Sequence, residues 1–176
     1  NKLISNEIPT FTTDPHPFTA NQFNNFPHPE LLKKINFSYF DLQHFNLSNL
    51  ETIEDLNFQY GLNLTSEQFN AAPKEYLKRL NLSSSPLPFG LEGGYSTNVT
   101  GFNFSSLVKI EDLNLSKVGG LTADQFNSLP KEHLKRLDLS GIDITGFDFS
   151  SLVKIEDLNL SEVNGLTADQ FNSLPK

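Results

Sequence analysis

Short apolar pairs recur along the chain, two positions apart, with charged residues ahead of them and asparagine or aspartate between them. Residues 53–58 read Ile-Glu-Asp-Leu-Asn-Phe and residues 77–82 read Leu-Lys-Arg-Leu-Asn-Leu. Residues 110–115, 134–139 and 155–160 repeat the form, and the first complete copy is Leu-Lys-Lys-Ile-Asn-Phe at 32–37. Written generally the pattern is L-x-x-L-x-L. An i, i+2 apolar pair is strand periodicity, so a strand is expected at each of Ile35, Leu56, Leu80, Leu113, Leu137 and Leu158. These centres are separated by 21, 24, 33, 24 and 21 residues. The interval of 33 is 21 plus a 12-residue excess. A looser copy lies at Ile8, Phe11 and Thr13.

Two kinds of segment connect the strands. The long one reads Gly-Leu-Thr-Ala-Asp-Gln-Phe-Asn-Ser-Leu-Pro at 120–130. Thr122 followed three residues later by Gln125 is a capping box, and the pairing recurs as Thr19/Gln22, Thr65/Gln68 and Thr167/Gln170. A short helix is expected after each, with Phe126 and Leu129 facing inward and Pro130 discouraging its continuation. The short segment, 141–152, alternates Ile142 with Ile144 and Phe147 with Phe149, which favours extended backbone with one turn near Ser150–Leu152. Phe45/Leu47/Leu50 and Phe102/Phe104/Leu107 are its equivalents. Phe23, Phe69, Phe126 and Phe171 are expected to stack across alternate units.

Residues 105–131 and 150–176 match at 25 of 27 positions, an offset of 45 that marks a tandem duplication. Composition agrees with a repeated unit: 27 Leu, 16 Phe and 19 Asn, with neither Met nor Trp. A single unit of this size cannot bury its apolar face, so stacked neighbours must close a shared core.

With its L-x-x-L-x-L strands every 21–24 residues, the chain resembles the leucine-rich repeat family over about residues 18–176. The alternation of 21 and 24 is most similar to bacterial-type repeats. The resemblance implies an α/β solenoid: a right-handed leucine-rich-repeat superhelix with a concave parallel sheet, and short helices alternating with extended segments on the convex side. It implies a protein partner on the concave sheet and no catalytic residue. The chain departs from the family where an asparagine or cysteine usually follows the strand. Val118, Ile142 and Val163 stand there, so the usual internal asparagine ladder is missing. Residues 1–176 are expected to form a single domain. Leu174-Pro175-Lys176 stops inside a long unit, and the chain is expected to be a fragment of a longer protein.

The exposed columns beside the strand centres carry the candidate chemistry. One reads Lys34, Asp55, Arg79, Asp112, Arg136, Asp157, and the one before it Lys33, Glu54, Lys78, Glu111, Lys135, Glu156. Signs alternate from strand to strand, which predicts a self-neutralising ladder, with ligand contact as the other use. Asn36, Asn57, Asn81, Asn114, Asp138 and Asn159 are expected to form a flat hydrated surface. The variable column is Tyr39, Tyr60, Ser84, Lys117, Gly141, Glu162, whose two tyrosines make a candidate contact site. The second candidate is the loop insertion at 85–98, whose Leu87, Phe89, Leu91 and Tyr95 are apolar, unlike the columns. Phe89 and Tyr95 would be its anchors.

Several chemistries find no support. The net charge of −8 argues against nucleic acid. Without cysteine there is no disulfide, thiolate metal site or thiol nucleophile. His16, His28, His44 and His133 fit no compact metal motif, and Asp124, Asp143, Asp148 and Asp169 do not form a dense calcium loop. Gly93-Gly94 lacks the residues of a phosphate loop. No cofactor and no membrane insertion are expected. Eight N-x-Ser/Thr sequons, four of them in the exposed asparagine column, argue mildly against a eukaryotic secretory route. The expected function is a non-catalytic protein-protein interaction module of a bacterial secreted effector or surface protein. The alternatives are a structural spacer or adhesive stalk, and the targeting region of a larger enzyme.

Overall fold

A computed structural model describes residues 19–84 and 97–174. Six strands of three residues lie at the expected centres: β1 (Lys34–Asn36), β2 (Asp55–Asn57), β3 (Arg79–Asn81), β4 (Asp112–Asn114), β5 (Arg136–Asp138) and β6 (Asp157–Asn159). They form one all-parallel sheet in the order β1-β2-β3-β4-β5-β6. The register is the one the repeats dictate, with Ile35, Leu56, Leu80, Leu113, Leu137 and Leu158 opposite one another in turn. A slip of one residue would turn the buried leucines to solvent. The insertion between β3 and β4 therefore leaves the pairing unchanged. Its ends meet, since the Thr97 amide donates to Ser84 Oγ at 2.6 Å. Residues 85–96, and with them Leu87, Phe89, Leu91 and Tyr95, lie outside the described residues, as does the looser copy at Ile8, Phe11 and Thr13.

Four helices follow the four capping boxes: α1 (Ala20–Asn24), α2 (Ser66–Ala71), α3 (Ala123–Asn127) and α4 (Ala168–Asn172). In each, the threonine side chain accepts the N3 amide and the N3 glutamine accepts the threonine amide. Helices this short do not hold themselves; in α1, α2 and α3 one phenylalanine, Phe23, Phe69 or Phe126, is set into the core. The short segments are extended apart from tight turns, one of them a 3-10 turn at Leu47–Asn49. Asp41, Asn98 and Asp143 each make a parallel bridge to the next long segment, at Leu62, Gly119 and Asn164. Gly120 and Gly165 sit at φ +75° and +77° beside these bridges, where an added Cβ would fall 2.2 and 2.1 Å from a threonine hydroxyl. Asn63 takes the equivalent left-handed position at φ 57° and is held by a 2.9 Å bond from its amide to Asp41.

The phenylalanines pair differently from the expected column. Phe69 stacks on Phe102 and Phe126 on Phe147, each at 4.3 Å between ring centres. The second ring of each Phe-x-Phe, Phe104 and Phe149, meets them edge-on at 5.6 and 5.5 Å. The helix ring is thus filled from the adjacent short segment and does not stack on the next helix. Among the described residues Phe171 has no such neighbour, and it is 63% exposed, whereas its duplicate Phe126 is 1% exposed.

On the helix-bearing side, side-chain amides bridge adjacent units. Gln68 Nε2 donates back to the carbonyls of Leu42 and Phe45 at 2.6 and 2.9 Å. Gln125 does the same to Val99 and Phe102 at 2.8 and 3.0 Å, and Gln170 to Ile144 and Phe147 at 2.8 and 3.0 Å. The asparagine two residues on reaches forward. Asn24, Asn70 and Asn127 donate to the carbonyls of His44, Gly101 and Gly146 at 2.9, 3.0 and 3.1 Å. They also accept the amides of Asn46, Asn103 and Asp148, each at 2.8 Å. The Gln-Phe-Asn triplets at 68–70 and 125–127 thus join their helices to the segment before and the segment after. Lys74 and Lys131, both buried, close the C-termini of α2 and α3. Their ammonium groups donate to three carbonyls each and lie 4.7 and 4.8 Å from the rings of Phe69 and Phe126. A cation at the last carbonyls of a helix satisfies acceptors that the helix leaves open.

Candidate binding surface

Strands β1 to β5 each bury their central aliphatic residue and turn their flanking polar residues outward, so the outer sheet face is built from the columns read in the sequence. The asparagine column is not a passive hydrated strip. The side-chain oxygens of Asn36, Asn57, Asn81, Asn114 and Asp138 each accept the amide two residues on at 2.9 Å, and Asn159 does so at 3.0 Å. These Asx turns end every strand at the same place. After five of the six, the residue three positions past the strand takes a left-handed conformation: Tyr39 (φ 65°), Tyr60 (57°), Lys117 (56°), Gly141 (72°) and Glu162 (58°). Ser84, which precedes the insertion, is not among them. A left-handed residue other than glycine costs about 1–2 kcal/mol. That strain recurs in the variable column of the sequence.

The column divides into two parts. At one end Tyr39 and Tyr60 stack with ring centres 4.8 Å apart and planes 18° from parallel, and Tyr39 is 65% exposed. Both tyrosines are therefore brought together as one aromatic surface. At the other end Lys117 reaches Glu162 at 3.5 Å, two strands away. Its stem passes over Gly141, where a Cβ would come within 2.9 Å of Lys117 Cγ. Lys117 and Glu162 occupy one of the only two positions at which the duplicated segments differ, the other being Gly119 and Asn164. Identical copies would set like charges against each other here.

The charged columns pair in clusters and form no unbroken ladder. Asp55 takes Arg79 at 2.8 Å and Lys34 at 3.9 Å, while Asp112 takes Arg136 at 2.6 Å. Lys78 meets Glu54 at 2.8 Å and Lys135 meets Glu111 at 2.7 Å. The hydrogen bonds from Lys78 and Lys135 hold the Glu54 and Glu111 carboxyls below the usual range. Arg79 is opposite Asp112 in register but makes its ion pair with Asp55 alone among the described residues. A shallow open groove over β2, β3 and β4 has Asp55, Arg79 and Asp112 along one line and Asn57, Asn81 and Asn114 along the next.

The remaining candidates are dispersed. His28 lies 3.1 Å from Glu30, and His133 lies 3.2 Å from the Lys154 amine. Among the described residues no three His, Cys, Asp or Glu side chains gather as metal ligands, and no helix is long and apolar enough to cross a membrane. Sequence reasoning gave the glutamines only a capping role and passed over Asn24, Asn70 and Asn127. The signal was the Gln-Phe-Asn triplet, present at 22–24, 68–70, 125–127 and 170–172. No family model matches the chain, and neither a curated protein nor a solved structure matches it.

Proposed function

We propose that the chain is a leucine-rich-repeat solenoid that serves as a non-catalytic protein-binding module. In this reading the superhelix is right-handed, the parallel sheet is its concave face, and the helices and extended segments alternate on its convex side. Support comes from six in-register parallel strands in sequence order, at intervals that alternate between 21 and 24 residues apart from the one lengthened to 33 by the insertion. A bacterial secreted effector or surface protein is the setting that fits the repeat spacing.

The observation that carries the binding role is the stacked Tyr39–Tyr60 pair, in which Tyr39 is exposed and Tyr60 half-buried. Rigid aromatic rings supply contact area at little entropic cost and are enriched among binding hot spots. These two are pre-stacked on a strained backbone, so little is left to order on binding. The groove over β2–β4 begins on β2, three residues ahead of Tyr60, and offers Arg79 with asparagine amides to a polar partner segment. Panning a displayed-peptide library against the immobilised chain tests the role. Selected binders should lose more than about tenfold in affinity for a Tyr39→Ala/Tyr60→Ala variant, the effect of removing hot-spot aromatics. Binders that retain full affinity for that variant would remove the pair from the site.

A structural spacer is the second reading, favoured by the 25 of 27 identity between duplicated units and by the internal Lys117–Glu162 pair. A selection that returns no binders, from a library that yields them for a control target, would favour it.

A further inference from the structure

The duplication provides a comparison of one surface in two settings. The unit at 105–131 is followed in the fold by residues 132–154, which pack against it. The Leu115 amide donates to the Asp138 carbonyl and the Lys117 amide to the Ser140 carbonyl, both at 2.9 Å. Lys135 and Arg136 meet Glu111 and Asp112, Phe147 stacks on Phe126, and Asn127 bonds the Gly146 carbonyl and the Asp148 amide. The unit at 150–176 repeats the first at 25 of 27 positions and supplies the same groups. Among the described residues those groups make none of the corresponding contacts. Phe171 is 63% exposed where Phe126 is 1%, and Leu166 is 42% exposed. Leu158, Leu160 and Val163 are only partly covered, and no described residue accepts the amide of Leu160. Glu156 and Asp157 have no ion-pair partner there.

We propose that the end face of residues 155–174 is a docking surface for one further repeat unit of the kind formed by residues 132–154. That occupant is a strand with a Lys-Arg pair ahead of its buried leucine, continuing into an extended Gly-Phe-Asp-Phe segment. Two features choose it over other apolar partners. The near-identical face within this chain is covered by such a unit, contact for contact. The bare face also ends in Glu156 and Asp157, so a basic strand continues the alternation of the sheet and an acidic one breaks it. The inference stands apart from the tyrosine site, which lies at the other end of the sheet.

Amide hydrogen exchange on the full chain tests it, in two arms. In the first, a synthetic peptide of residues 132–154 is added at up to about 1 mM, which spans affinities into the millimolar range. In the second, the same residues are appended after Lys176, the residue equivalent to the Lys131 that precedes them in the fold. Attachment raises their effective concentration and covers the case in which a free peptide is too costly to order. The Leu160 and Glu162 amides should slow by at least about tenfold in one arm or both, as buried sheet amides do. The peptide carrying Lys135→Glu and Arg136→Glu should give less slowing at equal concentration. Unchanged exchange in both arms overturns the proposal, and so does equal slowing by the acidic peptide. Slowing that grows with protein concentration and no peptide gives the face to a second copy of the chain, which also overturns the assigned occupant.

Discussion

The two sides of the sheet hold their neighbours by different means. On the outer face, neighbours meet through ion pairs whose side chains are mostly a quarter to a half exposed, such as Arg79–Asp55 and Lys78–Glu54. On the helix-bearing side, neighbours meet through phenylalanine stacks and through amides that donate to main-chain carbonyls of the adjacent unit. Exposed pairs are worth little because water already solvates both charges. A partly buried carbonyl stripped of its donor loses a bond that water replaces poorly. The helix-bearing side therefore carries the cohesion between units, which leaves the outer face free to vary.

Four substitutions can break or sharpen that contrast. Phe126→Ala should lose about 3–5 kcal/mol in urea denaturation, the usual cost of an emptied aromatic site. Phe171→Ala, the same change in the duplicate, should stay within about 0.5 kcal/mol, as exposed substitutions do. Equal losses at the two positions would mean that Phe171 is covered in solution. Gln125→Ala should cost about 2–3 kcal/mol, because it leaves the Val99 and Phe102 carbonyls without their donor. Thr122→Ala removes the cap alone and should cost about 1 kcal/mol. A Gln125→Ala loss no larger than the Thr122→Ala loss would reduce the glutamine to its capping role.

Arg79→Glu places three acidic residues in line across β2, β3 and β4. It should cost roughly 1 kcal/mol at low salt and much less at high salt, since exposed charges are screened. A loss that salt does not change would point to packing of the arginine stem. The smallest effect concerns the buried lysines. Burial pushes the Lys74 and Lys131 amines below the ordinary lysine range, against the opposing pull of Glu75 for the first and of Asp148 and Glu132 for the second. Between the folded pKa and the unfolded value of 10.5 the unfolded chain binds more protons, so this contribution to stability rises with pH. Measured across that window, the stability of the parent chain relative to Lys131→Met should climb with pH. A flat difference would mean that the amine titrates as it does in the unfolded chain.

The strands, their register and the capping boxes were legible because each rests on local chemistry. An i, i+2 pair, a charge ahead of it and a Thr-x-x-Gln carry their meaning within six residues. The left-handed column was not legible, because Tyr39, Tyr60, Lys117 and Glu162 are not residues that mark positive φ; the mark lies three residues upstream, in the asparagine that makes the Asx turn. The tyrosines could be picked out as a pair from their shared column, but their stacking depends on that turn. The phenylalanine partners were misjudged because their matching place in each long unit suggested stacking of like with like. In space, the short segment brings its Phe-x-Phe between successive helices. The Gln-Phe-Asn joints join groups 19–33 residues apart, and only the recurrence of the triplet hinted at them.

The contrast between the two sides comes down to one pair of double variants around the same unit. Gln125→Ala/Asn127→Ala removes the joints of α3 to both neighbours. Lys135→Ala/Arg136→Ala removes both ion pairs between β4 and β5. Urea midpoints at low and high salt should show the first variant losing at least about 3 kcal/mol at either ionic strength, the summed cost of orphaned acceptors and donors. The second should lose far less, and at high salt almost nothing. An equal or greater loss from the charge variant, persisting at high salt, would contradict the account.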